Sequence, residues 1–258
     1  MSRLSPGQIR FHTLVRREVS RFMKIKRQTL GAPLLETFLY ISVFGAALGA
    51  RIDKLQGVDY VVFIVPGLIM MAWATNAFSN NSSSILQQKM ERAIDDQLSS
   101  PASPAQLMMA FSLGGFIRGG LVAAITTVVA LLLIDLPVSH ALVLIPALAL
   151  VGMFFAQLGV FIGVRAEQFD DVAVAQTFLL QPLIFLGGVF YSAELLPEPW
   201  STITHFNPVY YMIDLVRYGF LGTSETNVAA SLAILTAIVA ALMVLNLQRF
   251  RSGTHLRA

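Results

Sequence analysis

The sequence predicts an all-α integral membrane protein with six transmembrane helices, an N-terminal amphipathic helix and outer re-entrant helices before the last span. Of its 258 residues, 55% are hydrophobic and 13% are charged, whereas soluble domains carry about 25% charged residues. Apolar runs recur along the chain at the length of about 20 residues that a helix needs to cross a bilayer. Eight of the 18 lysines and arginines precede residue 28, beside the first of these runs.

The predicted spans follow the apolar runs, and the cationic residues orient them. The spans cover residues 33–50, 60–77, 116–133, 141–164, 172–191 and 228–247, with an alternative start for the third near residue 107. Six spans place both termini on one side, and 15 of the 18 cationic residues fall on that side. Because cytoplasmic segments are enriched in lysine and arginine, both termini are predicted to be cytoplasmic.

The segment before the first span, residues 7–30, has the pattern of an amphipathic helix. Phe11, Val15, Val19 and Phe22 recur at helical spacing, and basic residues share another face. We expect this helix to lie on the cytoplasmic leaflet, attracted to anionic membrane lipid. The alternative interpretation is a basic tail that directs topology without forming an ordered helix.

The cytoplasmic connection between the second and third spans contains another amphipathic segment, residues 86–99. Met90, Ile94 and Leu98 recur at helical spacing among charged residues, and Pro101 and Pro104 close the segment. A helix this short has too little apolar surface to stand alone, so it suits a groove in a partner protein. The alternative is a solvated helix that rests on the membrane.

Ionisable residues inside hydrocarbon indicate functional sites by default. Glu36, however, lies near the cytoplasmic start of the first span, so a structural role is favoured, with a pair to Arg118 as one form of it. Four neutral polar residues in or beside the spans are more typical of hydrogen bonds between helices than of substrate contacts. They are Asn76, Gln157, Gln176 and Gln181.

Two further groups of charged residues have local explanations. Asp170 and Asp171 precede the fifth span, where they fit either a helix cap or a contact with a partner. Asp214 and Arg217 are three residues apart, so they are predicted to pair on one helix.

The segment from Phe185 to Gly222 lies between two apolar runs, yet it resembles neither a loop nor a span. Prolines interrupt it, and aromatic residues crowd it. Tryptophan and tyrosine prefer the bilayer interface, and a broken helix dips into a membrane only where protein or water covers its backbone. The segment therefore predicts re-entrant helices on the outer side, forming a lid over a path. The alternative is that it only seals the outer face of a dimer.

Several classes of function are disfavoured by missing motifs. The chain has no cysteine, which excludes thiol chemistry and disulfides. It lacks the phosphate-binding G-x-x-x-x-G-K-[ST] loop, and its four histidines are scattered, so neither an ATPase site nor a metal site is predicted. The basic residues are not arranged for nucleic acid. An ion-gradient-driven secondary transporter or channel is the alternative to an ATP-driven one, but buried acids and paired broken helices are missing.

A family resemblance joins these features. The chain resembles the membrane subunits of ABC type-2 exporter permeases, and within that family the bacterial YadH-type inner-membrane permeases. The resemblance rests on RFMKIKRQTL, FIVPGLIMM, ERAIDDQLSSPAS, the FDD turn and LGGVFYS-x-x-LLP…W…NPVYYMIDLVRYGFLG. It implies one permease domain over residues 1–258 of a dimer, formed with itself or with a paralogous permease. It also implies two separate ABC ATPase subunits, which bind ATP and magnesium in place of this chain.

The resemblance also assigns roles to residues. A coupling helix at residues 86–99 would insert Met90, Ile94 and Leu98 into the ATPase, with a second contact at Asp170 and Asp171. The re-entrant helices would match residues 193–211. The residues expected to line the path are Phe44, Met70, Met71, Asn76, Phe178 and Gln181. Those expected at the outer gate are Pro197, Trp200, Asn207, Pro208 and Tyr211. The sequence does not identify the cargo, although the spans lack the runs of aromatics seen in polysaccharide exporters.

Overall fold

The computed structural model describes residues 5–24, 26–47 and 54–256, and this part of the chain is almost entirely helical. The all-α class is confirmed. The predicted end of the first span, residues 48–50, and Arg3, Arg51 and Arg257 lie outside the described residues. The α-helices are α1 Pro6–Lys24, α2 Lys26–Ala47, α3 Tyr60–Met90, α4 Ala93–Leu98, α5 Pro104–Leu133, α6 Ala141–Arg165, α7 Phe169–Val174, α8 Gln181–Phe185, α9 Trp200–Phe206, α10 Pro208–Leu221 and α11 Val228–Ser252.

Three short elements complete the described structure. An antiparallel hairpin joins β1, Lys54–Leu55, to β2, Val58–Asp59. A π-helical turn, Ala175–Leu180, connects α7 to α8, and a 3-10 turn, Ala193–Leu195, follows α8.

In the described part of the chain, four helices are long and apolar enough to cross a membrane: α3, α5, α6 and α11. The first predicted span corresponds to α2, whose apolar stretch Gly31–Gly45 is shorter. The fifth predicted span is divided into α7, the π-helical turn and α8. The third begins early, at Pro104, where Ser103 caps it. A total of six spans therefore stays a prediction.

The central helix of the bundle is α3, which packs along its length against α5 and α6. Glycines on these neighbours permit the approach, because an added Cβ at Gly115, Gly159 or Gly163 would lie 2.5–2.9 Å from atoms of α3. The Trp73 indole of α3 fills a slot beside Gly152 in the same way. Small residues of this kind let membrane helices pack closely, since lipid supplies no hydrophobic drive between helices.

The predicted amphipathic character of α1 is seen, but its buried face contacts α5 of the protein. Phe22 is buried, while Phe11, Val15 and Val19 are half-buried. Glu18 is also buried, at 2% exposure, on the same helix. A helix that buries a carboxylate needs a partner for it, and α3 supplies one as described below.

The bundle has two ends that differ in structure. At the α4 end, α4 follows directly from the end of α3. At the opposite α9 end, the β-hairpin and α10 contact α3 near its start, and α9 contacts α10 and the 3-10 turn. There the Tyr60 hydroxyl donates a hydrogen bond to the Phe190 carbonyl oxygen at 3.1 Å, which ties the start of α3 to the segment after α8.

Candidate coupling surface and membrane cleft

The predicted coupling segment forms the last turn of α3 and the short helix α4. Arg92 separates the two helices with a left-handed backbone, φ 56°. Ile94 is 2% exposed and belongs to a hydrophobic cluster with Ile85, Phe111 and Phe250. α4 is therefore fixed to the bundle through the side chain of Ile94.

The side chains that α4 and its approach leave exposed differ from the predicted set. Met90 is 57% exposed, whereas Leu98 is half-buried against the same cluster as Ile94. Glu91, Arg92 and Asp96 are exposed beside Met90. We call Met90, Glu91, Arg92 and Asp96 the coupling surface.

The turn before α7 contains the two aspartates predicted to cap a helix or contact a partner. The carboxylate of Asp171 accepts hydrogen bonds from the backbone N–H groups of Glu167 at 2.8 Å and Gln168 at 3.0 Å. Capping by Asp171 is confirmed, and these two N–H groups lower the pKa of its carboxyl. Asp170 is exposed, as is Phe169, so this turn also has a free surface.

Lys89 connects the coupling segment to this turn. Its Nζ donates to the carbonyl oxygens of Val164 and Ala166, both at 2.8 Å, and the side chain is 8% exposed. These carbonyls lie at the end of α6, where helical oxygens lack partners within the helix. A cation at a helix C-terminus is also favoured by the helix dipole.

A buried polar network joins α1 to α3. The Glu18 carboxylate accepts hydrogen bonds from Ser84 Oγ at 2.6 Å and Gln88 Nε2 at 3.0 Å. The Arg21 guanidinium lies 3.6 Å from the same carboxylate and donates to the Asn80 carbonyl oxygen at 2.9 Å. Burial lowers the pKa of Arg21, and the neighbouring Glu18 opposes that shift.

The network continues into α4. Gln97 Nε2 donates to Gln88 Oε1, which also accepts a hydrogen bond from Arg17. Gln88 therefore contacts α1 through Glu18 and Arg17, and α4 through Gln97. A movement of α4 is thereby linked to both α1 and α3 by direct hydrogen bonds.

A cleft of about 70 Å³ opens between α2, α3 and α8. Three of the predicted path residues line it: Met71, Asn76 and Gln181. Its other lining residues are Pro33, Glu36, Thr37, Tyr40, Leu68, Ala72 and Thr75.

The other predicted path residues lie elsewhere. Met70 is fully buried in the core. Phe44 stacks on Phe190 with ring centroids 5.0 Å apart, and Phe178 is 76% exposed on the π-helical turn. The structure thus brings together half of the predicted set.

Glu36 does not pair with Arg118, so that form of the structural role is wrong. No ion pair within 4.0 Å joins them among the described residues. Glu36 lines the cleft on α2, whereas the Arg118 Nε is buried on α5 without a hydrogen-bond partner in the described structure.

The residues predicted at the outer gate gather at the α9 end. Asn207 is 6% exposed and caps α10, because its Oδ1 accepts from the Val209 N–H at 3.0 Å. Its Nδ2 donates to the Leu183 carbonyl oxygen at 2.6 Å, which ties α10 to α8. Pro208 opens α10, and the Tyr211 hydroxyl donates to the His205 carbonyl oxygen at 2.9 Å. Pro197 and Trp200 are exposed.

The predicted Asp214–Arg217 pair is wrong, because each residue has other partners. Asp214 accepts hydrogen bonds from Ser224 Oγ at 2.7 Å and from the Glu225 N–H at 2.9 Å, so it holds the loop after α10. The Arg217 guanidinium lies 3.8 Å from the centre of the Phe63 ring and donates to the Gly188 carbonyl oxygen at 2.9 Å.

Glu225, like Asp214, is a carboxylate that accepts several hydrogen bonds at the α9 end. Its carboxylate accepts hydrogen bonds from Ser192 Oγ at 2.6 Å and the Tyr210 hydroxyl at 3.0 Å, and also from Gln56 of the β-hairpin. This carboxylate therefore joins the hairpin, the segment after α8 and α10. With the contacts of Asp214, it makes the α9 end one hydrogen-bonded unit.

Comparison with known proteins settles the family. The family model described as "ABC-2 type transporter" matches residues 9–221. The chain belongs to the ABC-2 type transporter family. It is 37% identical over 242 residues to "Inner membrane transport permease YadH" of Escherichia coli (strain K12), covering 94% of both chains. It is 25% identical over 236 residues to "Nodulation protein J" of Rhizobium leguminosarum bv. viciae, covering 90% of both.

Membership in the ABC-2 type transporter family gives the chain its general role. It is the membrane subunit of an ABC transporter, and subunits of this family work with an ABC ATPase partner. The apolar helices and the inner-membrane relatives together support a multi-pass inner membrane protein.

Sequence reasoning missed the carboxylates that organise the two ends of this ABC-2 permease. Glu18 lies on the amphipathic helix between two arginines, and Glu225 lies in a loop, so neither stands within an apolar run. One signal was available for Glu18. It is separated by one turn from Phe22, on the same face of α1 as the apolar residues, where a solvated acid is not expected.

Replacing Lys89 by methionine is expected to destabilise the ABC-2 permease by about 1.5–3 kcal/mol, the typical contribution of hydrogen bonds to a charged group. Methionine keeps the length of the side chain but leaves the Val164 and Ala166 carbonyl oxygens without their donor. Thermal denaturation in detergent would measure the loss. Lys54→Met is the control, because Lys54 is exposed at the α9 end. Equal stability of both variants would contradict a stabilising contribution from the hydrogen bonds of Lys89 to the end of α6.

Proposed function

We propose that this chain is the permease subunit of an ATP-driven exporter. Two copies, or this chain and a paralogous permease, would form the path, and two ABC ATPase subunits would bind ATP and magnesium. The observation that carries this proposal is the coupling surface, which is exposed although the helix beneath it is fixed by buried contacts. Both termini and the coupling surface would face the cytoplasm, in accord with the distribution of lysine and arginine.

The coupling surface is suited to enter a groove in the ATPase. Met90 offers a flexible apolar side chain, and Arg92 and Asp96 offer charges of both signs beside it. Ile94 packs inward, so we assign it and Leu98 to holding α4 rather than to insertion. The exposed turn at Phe169 and Asp170 would form the second contact, and Lys89 would make the two contacts move together.

The path would lie where α2, α3 and α8 surround the cleft, at the interface with the second permease subunit. Outside the lining residues, α2 exposes Leu35 and Leu39, and the π-helical turn exposes Phe178. Single copies seldom expose such side chains to water, but a membrane or a second subunit covers them. The α9 end, which the carboxylates of Asp214 and Glu225 hold together, would form the lid of the path on the outer side.

Met90→Asp is expected to reduce the ATPase recovered with the tagged permease at least about tenfold, since a buried unpaired charge at an interface costs more than 1.4 kcal/mol. The measurement is co-purification after co-expression of the permease with its ABC ATPase. Val138→Asp is the matched control, because Val138 is 54% exposed in the loop between α5 and α6. Unchanged recovery with Met90→Asp would contradict docking at the coupling surface. Transport by vesicles that contain the permease without ATPase would overturn the proposed function itself.

A further inference from the structure

The cleft between α2, α3 and α8 offers hydrogen-bond acceptors to a ligand. On α3, Thr75 Oγ1 donates to the Met71 carbonyl oxygen at 2.8 Å, and Asn76 Nδ2 donates to the Ala72 carbonyl oxygen at 3.0 Å. Both side chains therefore use a donor within their own helix. The Thr75 oxygen and the Asn76 Oδ1 keep lone pairs that are free to accept from a ligand.

The charge of the cleft has one sign. Glu36 is the one carboxylate among the described residues that line it, Tyr40 adds a phenol hydroxyl, and no lysine or arginine is among them. Glu36 also makes no ion pair with the described residues. A carboxylate within a membrane bundle is costly unless it faces a partner or a watery cavity, so its counter-ion is expected to come from outside the chain.

The size of the cleft limits what enters it. A volume of about 70 Å³ holds a small head group with one or two waters, since one water needs about 10–15 Å³ of such space. Two exposed apolar side chains lie close in sequence to lining residues of the cleft: Leu39, 48% exposed, precedes Tyr40 on α2, and Phe178, 76% exposed, lies one turn before Gln181. A ligand that matches both regions has a small polar head and an apolar tail.

We propose that the cleft binds the protonated primary amine of an amphiphile, with Glu36 as its counter-ion and Thr75 and Asn76 as hydrogen-bond acceptors. An ammonium group supplies three donors and one positive charge, which complement the Glu36 carboxylate and the acceptor oxygens of Thr75 and Asn76. Because the cleft lies on the proposed path, the assignment of this amine as cargo rests on the proposed function. The same amine chemistry is present in a phosphatidylethanolamine head group.

The test uses radiolabelled dodecylamine and the permease in phosphatidylcholine nanodiscs, with empty nanodiscs to subtract partition into lipid. Saturable binding is expected for the wild-type chain. Glu36→Gln is expected to weaken it at least about tenfold, because the amide keeps the shape but removes the charge. Glu194→Gln, an exposed acid at the α9 end, is the control and should bind as wild type. Dodecanol, which has the same tail without the charge, should not compete.

Equal binding of dodecylamine by Glu36→Gln and wild type would overturn the assignment, as would absence of saturable binding or equal competition by dodecanol. Nanodiscs that contain phosphatidylethanolamine separate the two sources of the amine. Weaker dodecylamine binding in them would identify the lipid as an occupant of the site, and unchanged binding would favour a soluble amphiphile. No ATPase is present, so a failure here is distinct from a failure of ATPase co-purification.

Discussion

Gly159→Val is expected to prevent accumulation of the folded permease. A Cβ at Gly159 would lie 2.5 Å from the Phe78 carbonyl oxygen and 3.0 Å from its Cα. Both are backbone atoms in the middle of α3, so no side-chain rotation relieves the contact. Overpacking a core costs about 1–3 kcal/mol when side chains can adjust, and a valine against a backbone exceeds that range. Fluorescence-detected size-exclusion chromatography of a tagged chain would show aggregate in place of a monodisperse peak.

The matched control is Gly31→Val on α2, because among the described residues no atom outside the adjoining turns of α2 lies within 4 Å of the Cβ position at Gly31. This variant should elute as wild type. A normal peak for Gly159→Val would show that α3 and α6 separate without loss of the fold, which contradicts the close packing described above.

Gly152 can be compared with Gly159, because the atoms nearest to Gly152 belong to a side chain rather than to the backbone of α3. An added Cβ there would lie 2.3 Å from Trp73 Nε1. A side chain can be shortened, whereas a backbone cannot be moved without moving the helix. Removal of the indole should therefore rescue Gly152→Ala, while no single substitution should rescue Gly159→Val.

Hydropathy predicted most of the fold because lipid-facing and core-facing residues are both apolar. The second span, however, was predicted to stop at residue 77, whereas α3 continues to Met90. The difference arises at Asn80, Asn81 and Ser84, because polar residues after an apolar run indicate that the span has ended. In the structure these three side chains are fully buried, with partners on α1 and α6 that lie far away in sequence.

The candidate site was predicted less completely, for a related reason. Helical spacing predicted Met90, Ile94 and Leu98 on one helix, whereas the left-handed residue Arg92 divides the segment, so that Met90 ends α3 and Ile94 and Leu98 lie on α4. Spacing also does not tell which side of a short helix faces the protein. Spacing also suggested that Asp214 pairs with Arg217. It gave no indication that the loop after α10 returns to offer Asp214 several donors, since that depends on the tertiary fold.

Glu18→Ala is expected to destabilise the permease by about 3–5 kcal/mol, the usual result of removing one member of a buried ion pair. The substitution removes the carboxylate that accepts hydrogen bonds from Ser84 and Gln88. It also removes the counter-ion of the Arg21 guanidinium. The hydrogen bonds between α1 and α3 should then be lost, and α4 should keep its Ile94 contact but lose its connection to α1 through Gln97 and Gln88. Unfolding in detergent would measure the first effect, and ATPase co-purification would measure the second. Glu194→Ala is the control, because Glu194 is exposed at the opposite end.

A double-mutant cycle separates a connecting role for Glu18 from simple stabilisation of α1. The hydrogen bonds of Gln88 connect Glu18 on α1 to Gln97 on α4. If this connection matters for ATPase binding, the losses of ATPase recovery in Glu18→Ala and Gln88→Ala should be strongly non-additive. Additive losses would mean that the two residues act independently, and the proposed connection would be wrong. Glu18→Gln adds a further distinction. It keeps an acceptor but lacks the charge, so it should retain the α4 connection while losing the contribution of Arg21.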